Sequence, residues 1–99
     1  MAAYRIEFTE SAKIDISHFA ASHRRRIVDE MKRQLLYQPL VETRNRKPLR
    51  PNDLSVWQIR LGRYRVFYDV AGECMTVTVK AIGWKQHDAL FIRGKEFQL

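Results

Sequence analysis

The chain has 99 residues, 45% hydrophobic and 29% charged, with four Gly, three Pro and one Cys. That composition bounds it to a single globular domain, residues 1–99, whose core can form without disulfides, and a lone Cys74 fits a reducing cytoplasm. No apolar run approaches a membrane span and "MAAYRIEFTE" lacks the pattern of a signal peptide, so no membrane partner is expected. The net charge is +7, and the segment Arg44–Arg65 holds seven cations against Asp53 alone. A basic segment on an otherwise near-neutral chain is the footprint of a polyanionic partner.

"YRIEFT" alternates Tyr4, Ile6 and Phe8 with Arg5 and Glu7, which predicts a first strand. Thr9 or Ser11 can cap the helix that follows, where Ala12, Ile16, Phe19 and Ala20 fall at helical spacing. Ser22 can cap a second helix through Tyr37, with Ile27, Val28, Met31 and Leu35 on one face. The short link between them predicts a helical hairpin. Arg24 to Arg26 crowd the positive end of the second helix, which its dipole disfavours. Pairs Arg26–Glu30 and Asp29–Arg33 at i,i+4 are expected to offset this. Pro39 closes the helix, and "PLVETRNRKPLRPNDLS" has no period and reads as a long surface loop.

"WQIRLGRYRVFYDV" then reads as a β-hairpin turning at Gly62-Arg63, with Gly first as a type II′ turn prefers. Its register sets Leu61 opposite Tyr64, Ile59 opposite Val66, and Arg60 opposite Arg65. A second hairpin is expected to turn at Gly72-Glu73, with Val70 opposite Met75, Val66 opposite Val79 and Arg65 opposite Lys80. The core face would comprise Trp57, Ile59, Leu61, Tyr64, Val66, Tyr68, Val70, Met75, Val77, Val79 and Ala81. In the tail, Asp88 to Phe91 form either a helical turn or a last edge strand. The order β-α-α-β-β-β predicts an α+β fold, its helical hairpin packed on one face of a mainly antiparallel four-stranded sheet.

On the other face, Arg60, Arg65 and Lys80 would stand in one row, with Gln58, Phe67 and Thr78 in the next. Like charges directly opposite destabilise a sheet, so such a row makes sense with an anion across it. The guanidinium fork suits phosphate. The alternative fillers are the chain's own Glu96 or the Leu99 carboxylate. Arg46, Lys47 and Arg50 extend the basic surface from the preceding loop. Lys85 and His87 leave the last strand beside the row, and His is the common general acid or base near neutrality. Trp84 is read as closing the core. No zinc-ligand spacing, Gly-rich phosphate loop or paired carboxylate site is present, so no cofactor is expected. Arginine and lysine could stabilise the extra charge of a pentacovalent phosphate, and RNA supplies its own 2′-hydroxyl nucleophile, which favours RNA over DNA as substrate.

The element order, the opening "YRIEFTESA", the hairpin "WQIRLGRYRVFYDV" and the closing "VTVKAIGWKQHDALF" resemble the RelE/ParE superfamily of type II toxin–antitoxin toxins. The resemblance covers nearly the whole chain. It implies one of two activities. RelE-like members cleave mRNA in the ribosomal A site without a metal, through 2′-hydroxyl attack, and thereby inhibit translation. ParE-like members share the fold, lack the nuclease residues and inhibit DNA gyrase. Both imply an acidic antitoxin partner, held in a hetero-oligomer. By position, the family's strand-three arginine falls on Arg65 and its basic strand-two residue on Arg60. A second strand-two position, often Lys, falls on Gln58, and the basic residue after the strand-four glycine falls on Lys85. The terminal tyrosine of some members falls on Phe91, which has no hydroxyl, and His87 is the candidate to replace it. Three readings stay open: a ribosome-dependent endoribonuclease, a gyrase-directed toxin, and a non-enzymatic module that binds RNA or antitoxin.

Overall fold

A computed structural model describes residues 2–98. Strand β1 (Arg5–Phe8) leads into helices α1 (Glu10–Ser17) and α2 (Ala21–Leu35). Strands β2 (Arg46–Pro48), β3 (Trp57–Leu61), β4 (Tyr64–Ala71), β5 (Thr76–Gln86), β6 (Ala89–Ile92) and β7 (Lys95–Phe97) follow. One sheet runs in the order β2-β3-β4-β5-β6-β7, each neighbour antiparallel, and β1 pairs with β5 in parallel. The α+β class and the helical hairpin are as expected, while the sheet has seven strands rather than four. The extra strands come from segments too short or too broken to show a period. Arg46–Pro48 ends in a proline, and the tail folds into the hairpin β6–β7.

Thr9 caps α1, its hydroxyl accepting the Ala12 N–H at 3.1 Å. The expected Ser22 cap is not made: α2 starts two residues earlier, at an Ala20 N-cap with no side-chain bond. Arg24 folds back instead, donating to the Phe19 carbonyl at 2.7 Å. The ion pair on α2 is Glu30–Arg33, at 2.6 Å and i,i+3, in place of the expected i,i+4 pairs.

The β3–β4 register is as expected, with Arg60 opposite Arg65 and Gly62 at φ 63°. The β4–β5 register is not. A turn of 3₁₀ helix at Gly72–Cys74 and a left-handed Met75 (φ 50°) lengthen the connection, so Val70 pairs with Val77. The ladder then slips again: Tyr68 pairs with Val79 but Phe67 with Ala81, leaving Lys80 as the extra residue of a β-bulge. Because strand side chains alternate, that residue swaps every later side chain of β5 between faces. Ala81, expected in the helix-side core, faces away from the helices, and Ile82 takes its place there. Arg65 faces Gly83, not Lys80, and Lys80 instead reaches Asp69 at 3.9 Å. The expected third cation of the row is therefore absent from it.

The sheet is covered on both faces. On the helix side Ile27, Met31 and Leu35 of α2 pack against Ile59, Val66, Tyr68, Val77, Val79 and Ile82. On the outer side Phe67, expected in a solvent-facing row, is fully buried among Ala81, Leu90 and Ile92, with Leu49, Leu54 and Phe97 around them. The loop that carries Leu49 and Leu54 is pinned by Asn52, whose Oδ1 accepts from Leu54 N at 2.7 Å and Ser55 N at 3.0 Å.

On its free side β5 is lined by β1 along Thr76–Val79 and by β6 along Trp84–Gln86. The stretch between has no strand partner there, and α1 supplies one. The Thr9 hydroxyl donates to the Lys80 carbonyl at 3.3 Å, and Asp15 Oδ2 accepts the Ile82 N–H at 3.0 Å. Asp15 is 3% exposed. Arg93, on the β6–β7 turn, brings its Nε within 2.8 Å of Asp15 Oδ1, an ion pair in which the N–H is not aimed at the oxygen. Burial raises the Asp15 pKa above the ordinary carboxylate value, against the Ile82 N–H, Arg93 and His18, which lower it.

Asp15→Ala should cost about 1–3 kcal/mol, because it leaves the Ile82 N–H buried without an acceptor. Asp15→Asn keeps an acceptor and should cost less. A raised pKa means that the native state holds the proton longer than the unfolded chain, so this group's contribution to stability falls as pH rises from the ordinary carboxylate range through the folded pKa. The stability difference between wild type and Asp15→Asn, followed by urea denaturation across that range, should change with that sign; a pH-independent difference would contradict it.

Candidate functional site

The outer face of the sheet forms a groove of about 780 Å³ between the β2–β3 edge and the β6–β7 hairpin. Arg60 and Arg65 stand side by side at its centre, placed there by the two-residue turn at Gly62-Arg63. Lys47 enters from β2, opposite Gln58, and Arg50 from the loop that follows. Lys85 lies two residues beyond Gly83 on the same face of β5, and its backbone N–H is fixed by the Arg63 carbonyl at 2.7 Å. Asp88 and Glu96 sit at the far end of the groove.

Each central arginine is tethered without being neutralised. Arg65 Nη1 donates to the carbonyls of Gly62 (2.8 Å) and Tyr64 (3.0 Å). Arg60 Nη2 reaches Asn45 Oδ1 at 3.4 Å. Among the described residues no carboxylate pairs with Arg60, Arg65 or Lys85, so Glu96 does not fill the row; Leu99, the other expected filler, lies outside the described residues. Burial, and then the neighbouring Arg60, push the Arg65 pKa below the ordinary arginine value. An arginine remains cationic through such a shift, so both effects count as a standing cost of holding the charge there.

Most of the residues singled out from sequence meet in this groove: Arg60, Arg65, Lys85, Gln58, Lys47 and Arg50. Three do not. Lys80 sits on the bulge with Asp69. Arg46 faces the helix side, 6% exposed, its guanidinium bonded to the Gln34 carbonyl. His87, with φ 57°, occupies the β5–β6 turn and lines a separate shallow cavity beside Phe91 and Glu96. Phe91 is on the opposite face from Arg65, stacked on Trp84 at 5.8 Å between ring centres. Trp84 itself packs edge-on against Phe19 in the helix-side core, as expected. Sequence reading missed Asn45, which orients Arg60 and also takes its backbone N–H at 2.8 Å. The signal for it was weak: a polar residue in a segment without a period.

Gly83 shapes the groove's floor. A Cβ there would lie 2.4 Å from the Phe91 carbonyl oxygen and 2.8 Å from Ile92 Cγ1. Only a residue without a side chain lets β6 cross so closely beside Arg65. Among the described residues no cluster of His, Cys, Asp and Glu could hold a metal ion, and no helix is long and apolar enough to cross a membrane.

Residues 6–88 match the family described as ParE toxin of type II toxin–antitoxin system, parDE. Among solved structures, the chain is similar to one in the RelBE2 toxin–antitoxin complex of Mycobacterium tuberculosis. The identity is 27%, over 86% of this chain and 94% of that one, with a TM-score of 0.74. It shares its fold with a chain of the archaeal RelE–RelB complex from Pyrococcus horikoshii OT3. There the identity is 23%, over 85% and 97% of the two chains, with a TM-score of 0.67. No curated protein matches it.

Two outcomes are expected from this geometry. A double-mutant cycle of Arg60→Gln and Arg65→Gln, read from urea midpoints, should show repulsive coupling of about 0.2–1 kcal/mol that shrinks in high salt. Attractive coupling would mean that something on the chain bridges the pair. Gly83→Ala should destabilise by about 1–3 kcal/mol, since the atom it meets is backbone and the β6–β7 hairpin must move.

Proposed function

The chain belongs to the RelE/ParE superfamily of type II toxin–antitoxin toxins, and from that premise we propose that it is an endoribonuclease toxin acting on mRNA in the ribosomal A site. The observation that carries this reading is the pair Arg60–Arg65, forced together by a hairpin register and, among the described residues, left without a carboxylate. A phosphodiester laid across the pair relieves the repulsion and accepts the guanidinium N–H groups. In the reaction the RNA 2′-hydroxyl gives its proton to solvent, its oxygen attacks the adjacent phosphorus to form a 2′,3′-cyclic phosphate, and the bond to the 5′-oxygen breaks. Arg65 and Arg60 stabilise the added charge on the non-bridging oxygens. Lys85, which lines the same groove, gives a proton to the departing 5′-oxygen. Lys47, Arg50 and Gln58 hold the flanking backbone and sugar.

The solved relatives are complexes with an antitoxin, and a +7 chain suits an acidic one. Such a partner holds the toxin in a hetero-oligomer and covers the groove or its rim. Electrostatic steering then makes association fast and salt-sensitive.

A second reading has its own support. Phe91 cannot move a proton and faces away from the arginines, and His87 lines another cavity. A groove with cations but no imidazole or phenol suits a toxin that binds without cutting, as ParE-like members do with gyrase. Primer extension on translating ribosomes, run beside a gyrase supercoiling assay, separates the two. The nuclease reading expects A-site cleavage that falls about 10²–10³-fold in Arg65→Ala, while His87→Gln retains it. Supercoiling inhibition without cleavage would favour the second reading.

A further inference from the structure

A second cationic cavity, of about 590 Å³, lies across the Gly62-Arg63 turn from the groove, between α2 and the β3–β4 hairpin. Arg26, Arg63 and His23 line it, and Arg60 and Asn45 line both this cleft and the groove. The single acid in it, Glu30, is already held by Arg33, with contacts of 2.6 and 3.3 Å. Among the described residues neither Arg26 nor Arg63 has a carboxylate partner. Arg63 lies over the Tyr64 ring at 5.5 Å, and the Tyr64 hydroxyl is bonded to His23 Nδ1 at 2.7 Å. The cations of the cleft therefore outnumber its one carboxylate, which Arg33 holds directly and Arg26 meets only at longer range.

The arginines of α2 also break a local rule. They crowd the first turns of a helix whose N-cap makes no side-chain bond, where the dipole already favours negative charge. Two pairs of cations, Arg60 with Arg65 and Arg26 with Arg63, thus flank one turn. An extended anion that crosses the turn meets both.

We propose that the cleft between α2 and the β3–β4 turn binds a second stretch of the same RNA strand. The strand runs from the outer groove over Arg60 into the cleft, with Arg26 and Arg63 on its phosphates and His23 available to a sugar or base. The inference rests on the groove being an RNA site, and adds a direction and a length to it. RNA is favoured over an acidic peptide because the two cavities are continuous through Arg60, so one regularly charged strand satisfies both.

The test is equilibrium binding of the full chain to 2′-O-methyl RNA, which lacks the attacking hydroxyl. A short oligonucleotide of roughly four residues and a long one of roughly sixteen are titrated across a salt series. For the long strand, Arg26→Gln and Arg63→Gln should each reduce the slope of log K against log salt by about 0.7, the value per phosphate for single strands. For the short strand both variants should match wild type, while Arg65→Gln weakens both lengths. If Arg26→Gln and Arg63→Gln leave the long strand unaffected while Arg65→Gln weakens it, the cleft is not on the RNA path and the groove reading stands. If Arg65→Gln also binds both lengths like wild type, the groove reading itself fails. If the Arg26→Gln, Arg63→Gln double variant binds RNA normally but loses polyglutamate, the cleft belongs to an acidic protein and the inference is overturned.

Discussion

One extra residue in β5 decides what each face of this sheet can do. Lys80 is opposed by nothing on β4, and from there on the alternation of β5 is inverted. Ile82 and Trp84 turn to the helix-side core, and Ala81, Gly83 and Lys85 to the outer face. Without the bulge Arg65 would sit beside a core residue's position and Lys85 would point at the helices. The bulged stretch needs support, since on the side away from β4 neither β1 nor β6 reaches it. Thr9 and Asp15 of α1 provide it, and Arg93 ties the β6–β7 hairpin to the same carboxylate. A buried acid far from the groove thus helps fix the wall and floor of the groove.

The electrostatics of the molecule follow from the turn at Gly62-Arg63. A tight hairpin cannot separate Arg60 from Arg65, and among the described residues neither is given a carboxylate. Where the fold needs an ion pair it makes one, as at Asp15–Arg93 and Glu30–Arg33. The contrast is informative: Asp88 stands at the groove's end, yet among the described residues the central cations are bonded only to neutral oxygens. Such tethers hold a guanidinium in place while leaving its charge for a ligand.

The alternation of β3 and β4 was fully legible in the sequence, because a two-residue turn leaves one register and each strand has one clear apolar face. The helical hairpin was legible for the same reason, through Ile27, Met31 and Leu35. Three things were not. The bulge at Lys80 has no signature in "TVTVKAIGW", where either register of Ala81 and Ile82 offers an apolar residue to the core. The second core under Phe67 depends on Leu49 and Leu54, whose loop is ordered by Asn52 rather than by any period. Arg46 and Lys47 look equivalent in a basic run, but strand β2 sends them to opposite faces, and only Lys47 reaches the groove. Family resemblance pointed to Arg60 and Arg65 by motif position, and the hairpin register independently sets the two side by side. It carried Phe91 and His87 toward the site, and the fold sets them elsewhere.

The central claim is that Arg60 and Arg65 form one anion site, distinct from arginines already paired within the chain. Nitrogen-15 NMR of the arginine Nε–H groups tests it directly, during titration with a short 2′-O-methyl RNA. Arg60 and Arg65 should shift together with a common affinity, while Arg93, held on Asp15, and Arg33, held on Glu30, stay in place. Shifts spread equally over all exposed arginines, or an Arg65 that does not move, would contradict it.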